Sequence, residues 1–171
     1  MDASRMSLMT FAVALITAFG IVKTAQCAVD IGFANKVNNK VYGTTLLKRM
    51  RPGDRIYNNQ RIRTSLDSAV DLSFLNDSIV YIGELSDLTL DNMVYDIHKN
   101  NKAGVMQIFK GVMRYVSGTN ADLNLTVKTN NASIGVRGTV FDLMAGSGGT
   151  EVAVHQGTVH LNWQTGTKQV V

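Results

Sequence analysis

The segment from Lys128 to Trp163 holds the residues that come nearest to carrying chemistry. Within it Arg137 stands between Gly135 and Gly138 and is followed by Thr139 and Phe141. Glycines on both sides of an arginine point to positive φ or close backbone approach at each. The guanidinium then projects from a tight bend with its donors in a rigid fork. Two roles fit it. Arg137 ties neighbouring carbonyls or the carboxylate of Asp142, which is the simpler reading, or it presents a cation to a carboxylate or sugar ligand. Thr139 suits a turn cap better than a nucleophile. The run Ala145-Gly-Ser-Gly-Gly-Thr150 has the glycines of a phosphate cradle. No helix or lysine follows, however, because Glu151-Val-Ala-Val154 continues as a strand, so a hairpin loop is expected.

His98, His155 and His160 are the histidines of the chain. An offset of five on one extended strand sends His155 and His160 to opposite faces, with no third ligand nearby, which argues against zinc. Ser147 has no histidine–carboxylate pair in the pattern, and Glu84, Asp87 and Asp91 read as polar turn residues. Tyr81, Tyr95, Tyr115 and Trp163 would form a sugar-stacking platform if they shared a face, though such aromatics are also ordinary edges of a β core. These residue types speak for binding over catalysis. They require no metal and no cofactor.

The elements that position them read as short strands. Val37–Tyr42 is a candidate. Arg61–Thr64 alternates, and Ala69–Phe74 and Ile79–Ile82 flank the turn chemistry of Leu75-Asn-Asp-Ser78, so 69–82 is predicted to be a β-hairpin. Leu85, Leu88 and Leu90 form a further apolar series, and 94–102 is polar and ambiguous. Gln107–Phe109 and Val112–Val116 flank Lys110-Gly111, and Leu123–Val127 alternates cleanly. The one helical suggestion in the domain is a single turn near 46–51. Ile108–Tyr115 and Val154–Leu161 echo each other around a glycine, at spacings too irregular for a periodic solenoid. The expected fold is all-β: short strands and hairpins coiled around one core, β-solenoid-like or a jelly-roll-like sandwich, after an N-terminal signal-peptide helix.

With 171 residues, 45% of them hydrophobic and 18% charged, the chain has room for one ordinary domain and a targeting segment. The net charge of +4 is scattered. Its densest basic run is Lys48-Arg-Met-Arg51, with Arg55, Arg61 and Arg63 downstream, and Lys48–Arg51 itself has no interleaved aromatics. It reads as a solvated face, and no nucleic-acid partner is expected. At the N-terminus Arg5 precedes the apolar run Met6–Val22, and Ala25-Gln-Cys27 supplies small residues for cleavage after Cys27, or after Ala28 as second choice. The run also sits at the lower limit for a membrane span, so an uncleaved anchor stays open, as does lipidation at Cys27. Cys27 is the one cysteine. Cleavage after it leaves no disulfide or thiolate site.

The core Ala132-Ser-Ile-Gly-Val-Arg-Gly-Thr-Val-Phe-Asp142, followed by Glu151-Val-Ala-Val-His-Gln-Gly-Thr-Val159, resembles the signature of the FecR protein domain family. Gly135, Arg137, Gly138, Thr139, Phe141 and Gly157 are the positions that carry it. Arg51-Pro-Gly-Asp-Arg-Ile56 with Gln60–Thr64, then Ser68–Ile82, then Phe109–Tyr115 resemble the earlier blocks in the right order. The resemblance implies an extracytoplasmic, β-rich, non-enzymatic module. It divides the chain into a signal peptide at 1–27, a lead-in at 28–39, the domain at 40–163 and a short tail at 164–171.

Regulatory members of this family relay the state of an outer-membrane transporter to a sigma-factor-controlling segment. Five residues precede the apolar run here and little follows Trp163, so that equipment is not expected. The resemblance therefore implies a periplasmic or envelope module that contacts another envelope protein. The alternative is a cell-wall or surface polysaccharide, with Arg137, Tyr81, Tyr95 and Tyr115 as candidate contacts. Membrane contact is expected only through the N-terminal segment, if that is uncleaved.

Overall fold

The computed structural model describes residues 29–43, 48–93, 103–118, 124–163 and 166–170. Every regular element among them is a strand. Two branches of one curled sheet meet on a shared strand, β9, so their order is easiest to follow from there.

The first branch holds β1 (Asp30–Asn38), β4 (Arg55–Tyr57), β6 (Ala69–Phe74) and β7 (Ile79–Ile82), in the spatial order β4-β1-β6-β7. The second holds β2 (Val41–Gly43), β3 (Lys48–Arg49), β5 (Gln60–Thr64) and β8 (Asp87–Leu90), in the order β3-β2-β5-β8. Strand β9 (Ala103–Val116) joins the two. Its first half pairs with β8 and, in parallel, with β10 (Asn124–Lys128), and its last residues pair with β7. Strand β11 (Ala132–Gly146) pairs with β10 along its first half and with the end of β9 along its second. It then turns through Ser147-Gly148 into β12 (Gly149–Trp163), whose end carries β13 (Gly166–Val170).

The two branches close on a single apolar core. Ile31, Ile56, Leu72 and Val80 come from one side and Ile62, Leu88, Met106 and Ile108 from the other, and Phe141 and Leu143 join the same cluster from β11. Tyr115 and Phe141 pack at a centroid separation of 5.7 Å and a tilt of 41°.

The long strands cross from one branch to the other at glycines. In β9 the buried side chains are Met106 and Ile108 before Gly111, then Met113 and Tyr115 after it. The same change of parity occurs in β11, from Ile134 and Val136 to Phe141 and Leu143, and in β12, from the half-buried Val152 and Val154 to the buried Val159. Each flip lies within two residues of a glycine with positive φ: Gly111 at 106°, Gly138 at 59° and Gly157 at 82°. A bulge inserts one residue and reverses which face every later side chain occupies. Three such reversals on neighbouring strands form a crease. At the first, Ser86 Oγ accepts the Val112 N–H at 3.0 Å, keeping the bent backbone satisfied.

The predicted hairpin at 69–82 is β6–β7, antiparallel, with Asp77 at φ 63° and Asn76 Oδ1 accepting the Ser78 hydroxyl at 2.6 Å. The expected loop after Ala145 is the two-residue Ser147-Gly148 connection. Three readings change. The helical turn near 46–51 is replaced, where described, by the edge strand β3. The stretch read as a lead-in holds β1, paired with both β4 and β6, with Ile31 and Ala34 fully buried. Register shifts at Asp30/Gly32 and Ala34/Lys36 break its alternation, which is what hid it in the sequence. Lys110-Gly111, read as a break between strands, is a bend within one. The signal-peptide segment at 1–27, the ambiguous 94–102 up to Lys102, Tyr95 and His98 lie outside the described residues. Among the described residues no helix is long and apolar enough to cross a membrane.

Candidate functional site

The parity flip fixes which residues of β9, β11 and β12 look outward. Tyr81 on β7 stands opposite Arg114 on β9, which stands opposite Asp142 on β11, which stands opposite Ala153 on β12. The row is a charged ladder. Arg114 Nε and Nη2 donate to Asp142 Oδ1 and Oδ2 at 2.6 and 2.7 Å, a two-toothed pair of the strong kind. His155 Nε2 lies 2.8 Å from Asp142 Oδ2, and Arg114 Nη2 approaches that same ring nitrogen at 3.4 Å. The hydrogen bonds from Arg114 hold the Asp142 carboxyl at about 2, against the opposing effect of its partial burial; His155 adds to the lowering.

Apolar side chains surround the ladder. Tyr81, Val112 and Met144 are 38%, 40% and 47% exposed, and with Val116 and Val140 they line an open groove of about 870 Å³. Among the described residues no hydroxyl or thiol is hydrogen-bonded to the His155 ring, whose Nε2 is engaged by Asp142, and no group of three metal-ligating side chains forms.

The sequence-predicted residues are not gathered here. Gly138 has the expected positive φ and Gly157 sits against it: a Cβ on Gly157 would stand 2.7 Å from the Gly138 carbonyl oxygen. Gly135 is ordinary strand backbone and needs neither device, since a Cβ there would meet His160 at a normal 3.7 Å. Arg137 does not tie Asp142, which Arg114 and His155 already hold. Arg137 lies just before the bulge and points outward by alternation with the buried Ile134 and Val136, into a shallow cleft lined also by Asn124, Leu125, Thr126, Thr158 and His160, and it makes no hydrogen bond or ion pair with another described residue.

Thr139 caps no turn. It is buried, and its Oγ1 has no hydrogen-bond partner. Phe141 is core. Tyr115 is core too, 1% exposed, with burial raising its hydroxyl pKa while Ser78 and Ser117 interact with it, so it cannot be a ligand contact. Tyr81 is exposed on the groove, while Trp163 lies at the far end of β12 opposite Ala132, so the described aromatics make no common platform. His155 and His160 both face solvent, because the flip at Gly157 cancels the odd offset between them.

Four arginines of the basic run are tied down. Arg49 donates to the Asn39 carbonyl, Arg55 pairs with Asp30, and Arg61 and Arg63 converge on Asp87, with Arg61 also 4.9 Å over the Phe109 ring. Sequence reasoning passed over Arg114, Asp142 and His155 as a group. They are 28 and 13 residues apart, and only strand register brings them together.

The described residues form a curled all-β domain that carries a charged ladder on its outer face. The chain belongs to the FecR protein family, whose model matches residues 60–160. Two crystal structures of a candidate anti-sigma factor from Parabacteroides distasonis ATCC 8503, at 1.65 and 2.50 Å resolution, share the fold. They align with TM-scores of 0.52 and 0.53 at 13% sequence identity, each over 65% of this chain. The aligned part spans half of the length of those neighbours. No curated protein matches the chain.

Proposed function

We propose that this chain is an exported, non-enzymatic sensing and binding module that contacts another envelope protein through the outer face of β7, β9, β11 and β12. The observation that carries this reading is the groove, in which exposed Tyr81, Val112 and Met144 surround a guanidinium already paired with Asp142. Tyrosine, methionine and arginine are the residues enriched in protein interfaces, and a pre-paired arginine meets a partner without losing an unpaired charge to burial. Family membership and the signal-like N-terminus support an extracytoplasmic compartment, and in this reading residues 1–27 direct export. Likeness to a candidate anti-sigma factor agrees with a place in a regulatory assembly.

The test is photo-crosslinking of the full chain in its own cells, from probes at Val112 and Met144, with exposed Val29, which bonds Asn58 and lies outside the groove lining, as control. One envelope protein captured from 112 and 144 and not from 29 is the expected result. Absence of any protein adduct, with the chain co-sedimenting with isolated wall material, overturns the reading in favour of a glycan partner.

A further inference from the structure

The outer face ends at an open sheet edge. β13 pairs with β12 only over Val159–Trp163, and among the described residues nothing pairs with Thr150–Gln156 on the side away from β11. The direction of the free backbone groups follows from bonds further in. The Val112 carbonyl accepts from the Gly83 N–H at 3.0 Å, so even-numbered residues at the end of β9 face β7 and odd ones face β11. Met113 and Tyr115 pair with Leu143 and Phe141, which leaves Asp142 and Met144 facing β12, where their partners are Ala153 and Glu151. The N–H and C=O of Thr150, Val152 and Val154 are therefore aimed at the open edge. Folded proteins blunt such edges with proline, lysine or a bulge. Thr150-Glu-Val-Ala-Val-His-Gln156 has no proline or lysine, and its bulge comes only at its far end.

The side chains select what fits there. Val152 and Val154 are half-buried against the core, while Glu151, Ala153 and His155 stand exposed on the outer face. A second β12 laid antiparallel on this edge must set edge-facing residues opposite edge-facing residues. Centring on Val152 places Glu151 opposite Ala153, and centring on Val154 places it opposite Gly157. Centring on Ala153 places Glu151 opposite His155 twice by symmetry, Val152 opposite Val154, and Ala153 opposite itself. The carboxylate–imidazole pairs then continue the existing row of alternating groups, Arg114, Asp142, His155 and the partner's Glu151, and the valines extend the core across the axis.

We propose that two copies of this chain pair through β12 in the Ala153-centred register, as an isologous dimer whose outer faces join. The proposal is independent of which protein meets the outer face. Ala153 opposite Ala153 is a non-hydrogen-bonded pair, with Cα atoms about 4.5 Å apart and so inside the range of a disulfide.

The test uses the full exported chain with Ala153→Cys, oxidised and peptide-mapped. A 153–153 disulfide is expected. Glu151→Cys alone should give none, and a mixture of Glu151→Cys with His155→Cys should link 151 to 155. Sedimentation equilibrium of the unaltered chain should show a monomer–dimer equilibrium, weakened about tenfold by Glu151→Lys with an unchanged circular dichroism spectrum. A monomer at all concentrations, a dimer that does not link at 153, or linkage of 153 to a different envelope protein in cells would each overturn the proposal.

Discussion

Arg114, Asp142 and Thr139 show how a few atoms set measurable properties. The Asp142 carboxyl, held at about 2 by the Arg114 guanidinium, has a folded-state pKa below its unfolded value. Its contribution to stability is therefore present above about pH 4 and is lost as pH falls through about 2. In a carboxyl-carbon NMR titration Asp142 should show a midpoint near 2, and Arg114→Gln should return it toward the ordinary carboxylate range. An unmoved midpoint would mean that another group holds the charge. Thr139 lends itself to the opposite experiment. Its hydroxyl is buried without a partner, so Thr139→Val, which keeps the shape, should raise stability by about 1 kcal/mol in urea unfolding. A loss on that change would reveal a bond that the hydroxyl makes. Arg137 marks the limit of reading a residue from its neighbours in sequence. Flanking glycines announce a bend, but the side Arg137 takes is set upstream of it, by alternation with the buried Ile134 and Val136.

The strands divide by how much of their identity is local. β6 and β7 alternate cleanly on either side of Asn76-Asp-Ser78, so the hairpin was legible from twelve or so adjacent residues. The loop at Ser147-Gly148 was legible for the same reason. β1 was not, because two register shifts scramble its alternation, and the outer face was not, because its members come from four strands whose pairing no single sequence records. The crease lies between these cases: the glycines were visible, their alignment was not. At Gly157 a side chain would need a left-handed backbone and would press on the Gly138 carbonyl, so Gly157→Ala should cost about 2–3 kcal/mol. Gly146→Ala is the control at the hairpin, where a Cβ meets nothing within 4 Å, and it should change stability by less than about 0.5 kcal/mol. Equal effects at the two sites, measured by chemical denaturation, would remove the crease from the account.

For the molecule as a whole, the consequence of that crease is cooperative. A protein whose two layers share only loops melts layer by layer; here β9, β11 and β12 are each covalently part of both. Neither layer can lose its order without dragging the backbone of the other out of register, so no stable half-folded species is available to it. Calorimetric and van't Hoff enthalpies should coincide, and the slowest-exchanging amides should form one set that runs through the glycines from Met106 to Tyr115 and from Ile134 to Leu143. Two separable exchange classes, one per layer, would contradict this. The same continuity has a reading in mechanics. One backbone runs unbroken from Glu151 through the crease to Trp163, so tension applied at one end passes through covalent bonds to the other.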